Sequence, residues 1–211
     1  MASQDAVFLI GSPELFAAYC DFFSADPVPN NLKSDYENGM EKFGYAGSAT
    51  EIHPRVFETL NASGVSYEVV GHSQFSQPIK SPEDFAQAAQ CQISAVAKSI
   101  LFKSVDSDAL VMVVLPTRSS IDTEAVKRTL GLETLSLVNR KDVEALTSQQ
   151  MHGISPIGHS GITVLMDESL LGQPSVFVGT GRAGQELKIA PKDLKDLTNA
   201  RTGKFSISKG A

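Results

Sequence analysis

At 211 residues, with 42% hydrophobic and 20% charged side chains, the chain can bury a core without disulfide or metal staples. Its net charge of −6 excludes a broad basic face for nucleic acid, and Cys20 and Cys91 belong to no Cys-x-x-Cys or Cys/His cluster that would hold structural zinc. No apolar run approaches the roughly 18 residues of a membrane span, and the apolar start Ala6 to Ile10 lacks the basic flank of a signal peptide, so a cytoplasmic protein with free thiols is expected.

Residues 1–50 carry 7 acids and 2 bases, whereas residues 51–211 are nearly balanced at 17 acids and 16 bases. Any RNA contact of the main body is therefore expected to be small and confined to an end or a loop. Residues 1–50 read as an accessory extension. Ser12 and Pro13 open a short helix to Phe23, and Pro27-Val28-Pro29-Asn30-Asn31 breaks it. Phe16, Tyr19, Phe22 and Phe23 could dock that helix, the bland alternative being surface decoration or an interaction arm.

From residue 51 to 200 the pattern is that of a regular domain. Thr50 to Ala62 reads as a helix with Val56, Phe57 and Leu60 on one face, stopped by Gly64. Ser66 to Val70 is a strand by its Tyr and Val content. Ser81-Pro82-Glu83-Asp84 opens a capped helix running to Gln90. Ile100 to Val105 and Ala109 to Leu115 are strands, the second apolar enough to be buried on both faces. Ile121-Asp122-Thr123-Glu124 starts a helix ended by Gly131, and Lys141 to Thr147 forms another. Ile162 to Met166, Ser175 to Val178 and Leu187 to Ala190 are strands, and Pro191 to Leu197 closes the domain as a helix. The tail from 201 to 211 is polar and expected to fray. Helices and strands mix without strict βαβ alternation, which predicts an α+β fold with a mixed central β-sheet flanked by helices.

The usual catalytic sets are missing: there is no Gly-x-Ser-x-Gly elbow, no His-Glu-x-x-His and no phosphate-binding Gly-x-x-x-x-Gly-Lys. Gly179-Thr180-Gly181-Arg182-Ala183-Gly184 meets a dinucleotide fingerprint in part, but it lies late in the chain between short strands. Two features remain. Lys98, in Ala97-Lys98-Ser99-Ile100-Leu101-Phe102-Lys103, sets a cation at the mouth of an apolar strand, where a snorkelling side chain or an ordinary ion pair is the bland alternative. His152-Gly153-Ile154-Ser155-Pro156-Ile157-Gly158-His159 is a stiff loop able to expose backbone N–H groups, or a tight turn needing Gly and Pro for geometry alone. Cation and amides together would suit an anionic or ester-bearing ligand.

On these residues the chain resembles the YbaK/prolyl-tRNA synthetase-associated editing domains. Lys98-Ser99-Ile100-Leu101 is similar to their Lys-Thr/Ser-Leu motif, and Gly153-Ile154-Ser155-Pro156-Ile157-Gly158 to their Pro-ended loop. Gly179 to Leu187, followed by Pro191-Lys192-Asp193-Leu194, is similar to their late glycine turn, strand and closing helix. The resemblance spans roughly residues 52–200 in colinear order.

It implies a trans-acting aminoacyl-tRNA deacylase that needs no cofactor or metal and grips the 3′ aminoacyl-adenosine end of a mischarged tRNA. The tRNA is most often tRNA(Pro), with prolyl-tRNA synthetase as a partner and a lean toward cysteine from the Ser-Pro-Ile-Gly form of the loop. Lys98 and Gly153 are the implied catalytic pair. His72, His152, Ile154, Ser155, Pro156, Gly158, Thr180 and Gly181 are the implied substrate-binding set, while His159 reads as a surface residue. One departure stands out: His152 occupies a position where the family commonly has Gly. That leaves a second reading, a catalytically degenerate editing domain kept as a tRNA- or protein-binding module.

Overall fold

The computed structural model describes residues 45–46 and 51–207. The helix expected at Pro13–Phe23 and its aromatic docking face lie outside the described residues. In chain order the elements are β1 (Tyr45–Ala46), α1 (Pro54–Ser63), β2 (Tyr67–Gly71), α2 (Pro82–Ala88), β3 (Ala97–Lys103), β4 (Leu110–Pro116), β5 (Ser120–Ile121), α3 (Thr123–Leu130), β6 (Ser136–Leu137), α4 (Arg140–Thr147), β7 (Ile162–Asp167), β8 (Val176–Gly179), β9 (Gln185–Ile189), α5 (Pro191–Thr198), β10 (Arg201–Gly203) and β11 (Ser206–Ile207). Short 3₁₀ turns at His72–Gln74, Ile93–Ala95 and Glu168–Gly172 join several of them.

Local chemistry sets the helix ends. The Ser81 hydroxyl caps α2 by accepting the Asp84 N–H at 3.1 Å, and Asp122 caps α3 through the Ala125 N–H at 2.9 Å. Gly64 and Gly131 end α1 and α3 in the left-handed conformation, as their positions predict. The first helix begins at Pro54 rather than Thr50, because a residue before proline is held extended and His53 obeys that at φ −63°, ψ 137°.

The fold is α+β, as expected, with a five-stranded mixed sheet ordered β10-β7-β4-β3-β6. A second, four-stranded sheet ordered β1-β2-β9-β8 lies beside it, and β11 pairs with β5. A parallel bridge between Val96 and Phe177 links the two main sheets. The largest core lies where both sheets meet α1 and α5, and gathers Leu101, Met112, Val114, Val164 and Met166 with Tyr67, Val69, Leu187 and Ile189. On the opposite face of the five-stranded sheet Val111, Val113 and Leu115 pack with Val126 of α3. Strand β4 is thus buried on both faces, each such aliphatic side chain contributing about 1.5–3 kcal/mol. The opposite face of the four-stranded sheet carries Val70 and Phe177, covered by Phe85 and Ala86 of α2.

The tail expected to fray from Arg201 does not do so over residues 201–207. Strand β10 runs parallel to β7, Phe205 is buried against α3, and its N–H donates to the buried Asp167 carboxylate at 2.8 Å. One aromatic side chain and one carboxylate hold a segment whose composition alone reads as polar. Among the described residues no helix is long and apolar enough to cross a membrane.

Candidate active site

The Gly/Pro loop follows α4, which ends with Ser148 in the left-handed region at φ 61°. Gln149 is buried and bolts the loop from within: its Oε1 accepts the Ser155 N–H at 2.8 Å, and its Nε2 donates to the Ile157 carbonyl at 3.3 Å. Gln150 ties the loop to the late glycine turn, with its N–H donating to the Gly181 carbonyl at 3.0 Å and its Oε1 accepting the Ala183 N–H at 2.9 Å. The Gly181 N–H returns to the Gly153 carbonyl at 2.6 Å. Backbone meets backbone here without room for a methyl group. A Cβ on Gly153 would strike the Arg182 carbonyl, and one on Gly179 would strike the Gly153 carbonyl. The two glycine segments singled out in the sequence form one interlocked unit.

That interlocking corrects the expectation of an open ring of amides. Gly153 already donates to the Gln150 carbonyl at 3.1 Å, Ser155 to Gln149, and Ile157 to the Ser155 hydroxyl at 3.2 Å. Pro156 has no N–H. Among the described residues, the N–H groups of Ile154 and Gly158 have no hydrogen-bond partner. The Gly153 amide is thus engaged within the loop, and the Ile154 amide beside it is not. Gly153 supplies the geometry, being the residue that lets the chain approach the turn at 182–183.

Other members of the implied binding set form the frame. Ser155, Pro156, Thr180 and Gly181 are buried. The Thr180 hydroxyl donates to the Glu51 carbonyl at 3.1 Å and accepts the Arg182 N–H at 3.2 Å. Gly158, at φ 81°, lets the Arg55 carbonyl come within 2.9 Å of where a Cβ would stand. His152 is exposed and sits at φ 66°. A left-handed residue is easiest for glycine, which is why a glycine would suit the position that His152 holds. His159 is half-buried rather than on the surface, and its Nε2 donates to the Ser155 carbonyl at 2.9 Å. Burial holds its pKa below the ordinary value, with the Ser155 bond opposing and nearby His53 and Arg55 reinforcing.

Lys98 is the second residue of β3, which pairs with β4 from Ala97 onward. Its Nζ donates to the Ser119 carbonyl at 2.7 Å. Strand alternation fixes its side. Val96 and Phe177 are bridged and pack in one cluster, so two residues further on Lys98 and Gly179 share that side. This is the side on which the Gly153 and Ile154 carbonyls pack over Gly179. The lysine stem and the loop are thus brought to one face.

The same face carries a carboxylate that sequence reading missed. Glu186 is the register partner of both Gly179 and Val70. Its Oε1 lies 3.5 Å from Nε2 of His72, a half-buried imidazole that makes no hydrogen bond with it. The His72 N–H donates to the Gly184 carbonyl at 2.9 Å, and its ring stacks at 5.5 Å from Phe85. Reading the last strand from Leu187 left Glu186 outside it. Strict alternation across Glu186, Leu187, Lys188 and Ile189 was the signal that sets an acid opposite the core face. A face bearing a lysine, a carboxylate and an imidazole can orient a zwitterionic or ester-bearing ligand, and the loop over it has no exposed nucleophile.

Residues 76–197 match the sequence model of the aminoacyl-tRNA editing domain. Over 119 residues the chain is 24% identical to EbsC of Enterococcus faecalis, a candidate Cys-tRNA(Pro)/Cys-tRNA(Cys) deacylase, spanning 54% of this chain and 73% of that protein. Over 137 residues it is 23% identical to a proline–tRNA ligase of Thermosipho melanesiensis, covering 64% of this chain and 23% of the ligase. A crystal structure described as a candidate trans-editing enzyme for prolyl-tRNA synthetase shares the fold, with a TM-score of 0.66 at 23% identity over 77% of this chain and 100% of that one.

Proposed function

The chain belongs to the aminoacyl-tRNA editing domain family, and from that premise we propose that it is a deacylase of mischarged tRNA, acting on tRNA(Pro) and, in the first instance, on its cysteinyl ester. A synthetase pocket separates small side chains by only about 1–3 kcal/mol per methylene, so errors of this kind are cleared after charging. The aminoacyl ester is already labile. Water adds to its carbonyl carbon, the bond to the terminal ribose oxygen breaks, and the water proton passes to that leaving oxygen, giving free amino acid and tRNA.

The observation that carries this reading is the Ile154 N–H, left without a partner in the loop whose carbonyls pack on the side of Lys98. An amide preset in this way suits the oxyanion of the tetrahedral intermediate, a role worth roughly 2.7–4 kcal/mol per donor. Lys98, steadied by the Ser119 carbonyl, holds the terminal adenosine and ester end by charge. Glu186, whose carboxylate lies 3.5 Å from the His72 ring, accepts the substrate's α-ammonium. Ser155 is fully buried and its hydroxyl accepts the Ile157 N–H, which supports attack by water rather than by a protein nucleophile.

The test is a deacylation panel of Cys-, Ala-, Ser-, Thr- and Pro-tRNA(Pro) with the purified protein. Faster release of cysteine than spontaneous hydrolysis supports the proposal; release of another amino acid keeps the reaction and changes the specificity. His152 in place of glycine favours a second reading, a binding module without turnover. That reading predicts tRNA binding with no release from any member of the panel, and loss of partner binding when residues 1–45 are removed. Association with prolyl-tRNA synthetase and a cytoplasmic location belong to the same proposal.

A further inference from the structure

Behind the interlocked turns, four ionisable side chains gather that the proposed chemistry does not use: His53, Arg55, His159 and Arg182. The backbone brings them together at two glycines. A Cβ on Gly181 would collide with that of His53, while Gly158 packs against the Arg55 carbonyl, and Arg182 and His159 are the next residues along. The His53 N–H anchors the group by donating to the Thr180 carbonyl at 2.9 Å. His53 feels the charges of Arg182 and Arg55, and His159 feels His53 and Arg55.

No carboxylate is paired with either arginine of this corner among the described residues, and Nε of Arg182 is buried with no hydrogen-bond partner. Glu58 is the carboxylate felt by His53, and Glu51 lies beside the group in sequence. The first turn of α1, which carries Arg55, contains no acidic residue. In a protein of net charge −6, two guanidinium groups on adjoining turns, neither of them in an ion pair, are donors left open to an outside anion. Burial and the neighbouring cations keep the histidines on the neutral side, so the standing charge is that of the arginines.

We propose that Arg55 and Arg182 form a rim that holds the phosphodiester backbone of a single-stranded RNA 3′ end. Guanidinium groups grip phosphate oxygens by paired N–H donors, which suits a strand read by its backbone and not by its bases. The inference rests on the deacylase reading for its direction: the aminoacyl ester enters the face of Lys98 and Ile154, and the preceding nucleotides pass over the rim. It also explains how an acidic protein engages an anionic strand.

The test uses the full chain and an uncharged acceptor minihelix ending in single-stranded CCA, with binding followed by fluorescence anisotropy over a salt series. Each phosphate contact to a single strand adds about 0.7 to the slope of log affinity against log salt, so R55Q/R182Q lowers that slope by about 1.4. R55K/R182K, which keeps the charges, retains the slope. Circular dichroism checks that the variants fold. On mischarged tRNA the R55Q/R182Q protein shows a raised KM with kcat unchanged, and on an aminoacyl-adenosine without phosphates it matches the parent.

The two readings fail separately. Arginine-dependent minihelix binding without deacylation keeps the rim and removes the enzyme. Deacylation with equal slopes in parent and R55Q/R182Q, or a parent that does not bind the minihelix, overturns the rim.

Discussion

Glu186 and Gly179 are register partners across β9 and β8, so a carboxylate emerges beside a position that has no side chain. The Gly153 and Ile154 carbonyls fill the space over Gly179, so a ligand lying along the edge of that loop would have its ammonium within reach of the acid. Glu186→Gln should lower kcat/KM for an aminoacyl-tRNA by roughly 10- to 100-fold, the range of a hydrogen bond to a charged group. The loss should vanish on a substrate whose α-amino group is acetylated. Equal losses on both substrates would show that Glu186 acts only through His72 or the strand.

Gly179 itself is constrained by the Gly153 carbonyl. Gly179→Ala forces the two turns apart and should cost about 1–3 kcal/mol of stability, the range for overpacking. Deacylation should fall further than stability does, because the Ile154 amide moves with the loop. Urea unfolding and single-turnover hydrolysis of the same variant separate the two effects.

His152 holds a left-handed backbone at φ 66° while exposed to solvent. Relief of that strain makes His152→Gly stabilising by about 0.5–1 kcal/mol, less the chain entropy that glycine adds to the unfolded state. Turnover should survive, since no bond of the His152 ring holds the loop. A fall in midpoint or a loss of turnover would mean that the imidazole is engaged.

Stability should fall with acidification in two stages. For His53 and His159 burial is the largest influence and sets the folded pKa below the ordinary 6.5. Both are neutral when folded, so their contribution is complete above pH 6.5 and is lost as pH falls from there toward the lowered values. For Asp167 burial pushes the pKa up, but hydrogen bonds from Ser169 and Phe205, with Ser206 adding to them, outweigh it and leave the pKa below the ordinary 3.8. Its contribution is present above that value and lost below it, and with it the hold on Phe205. H159Q should flatten the upper stage and leave the lower one, as read from denaturation midpoints between pH 7 and pH 3.

Much of this architecture is legible in the sequence, and the exceptions have physical causes. The apolar run of β4, the capping residues Ser81 and Asp122 and the glycine stops at 64 and 131 act locally, so pattern reveals them. Lys98 and the 153–158 loop are legible because a cation in an apolar strand and a Gly/Pro loop are both unusual. What escaped is non-local. The tail at 201–207 is ordered by Asp167, far along the chain. The amide of Ile154 is free because Gln149 and Gln150, which read as ordinary loop residues, engage those of Ser155 and Gly153 on either side of it. Glu186 required the strand boundary to be right by two residues, since β9 begins at Gln185.

The account turns on Lys98 and the Ile154 amide acting together on an aminoacyl ester. The direct measurement is hydrolysis of Cys-tRNA(Pro) by the parent protein and by Lys98→Ala, with thermal unfolding run alongside. The account predicts release well above the spontaneous rate for the parent and a return to that rate for the variant, with the fold retained. Equal release by both proteins, or none by the parent on any member of the mischarged panel, would contradict it.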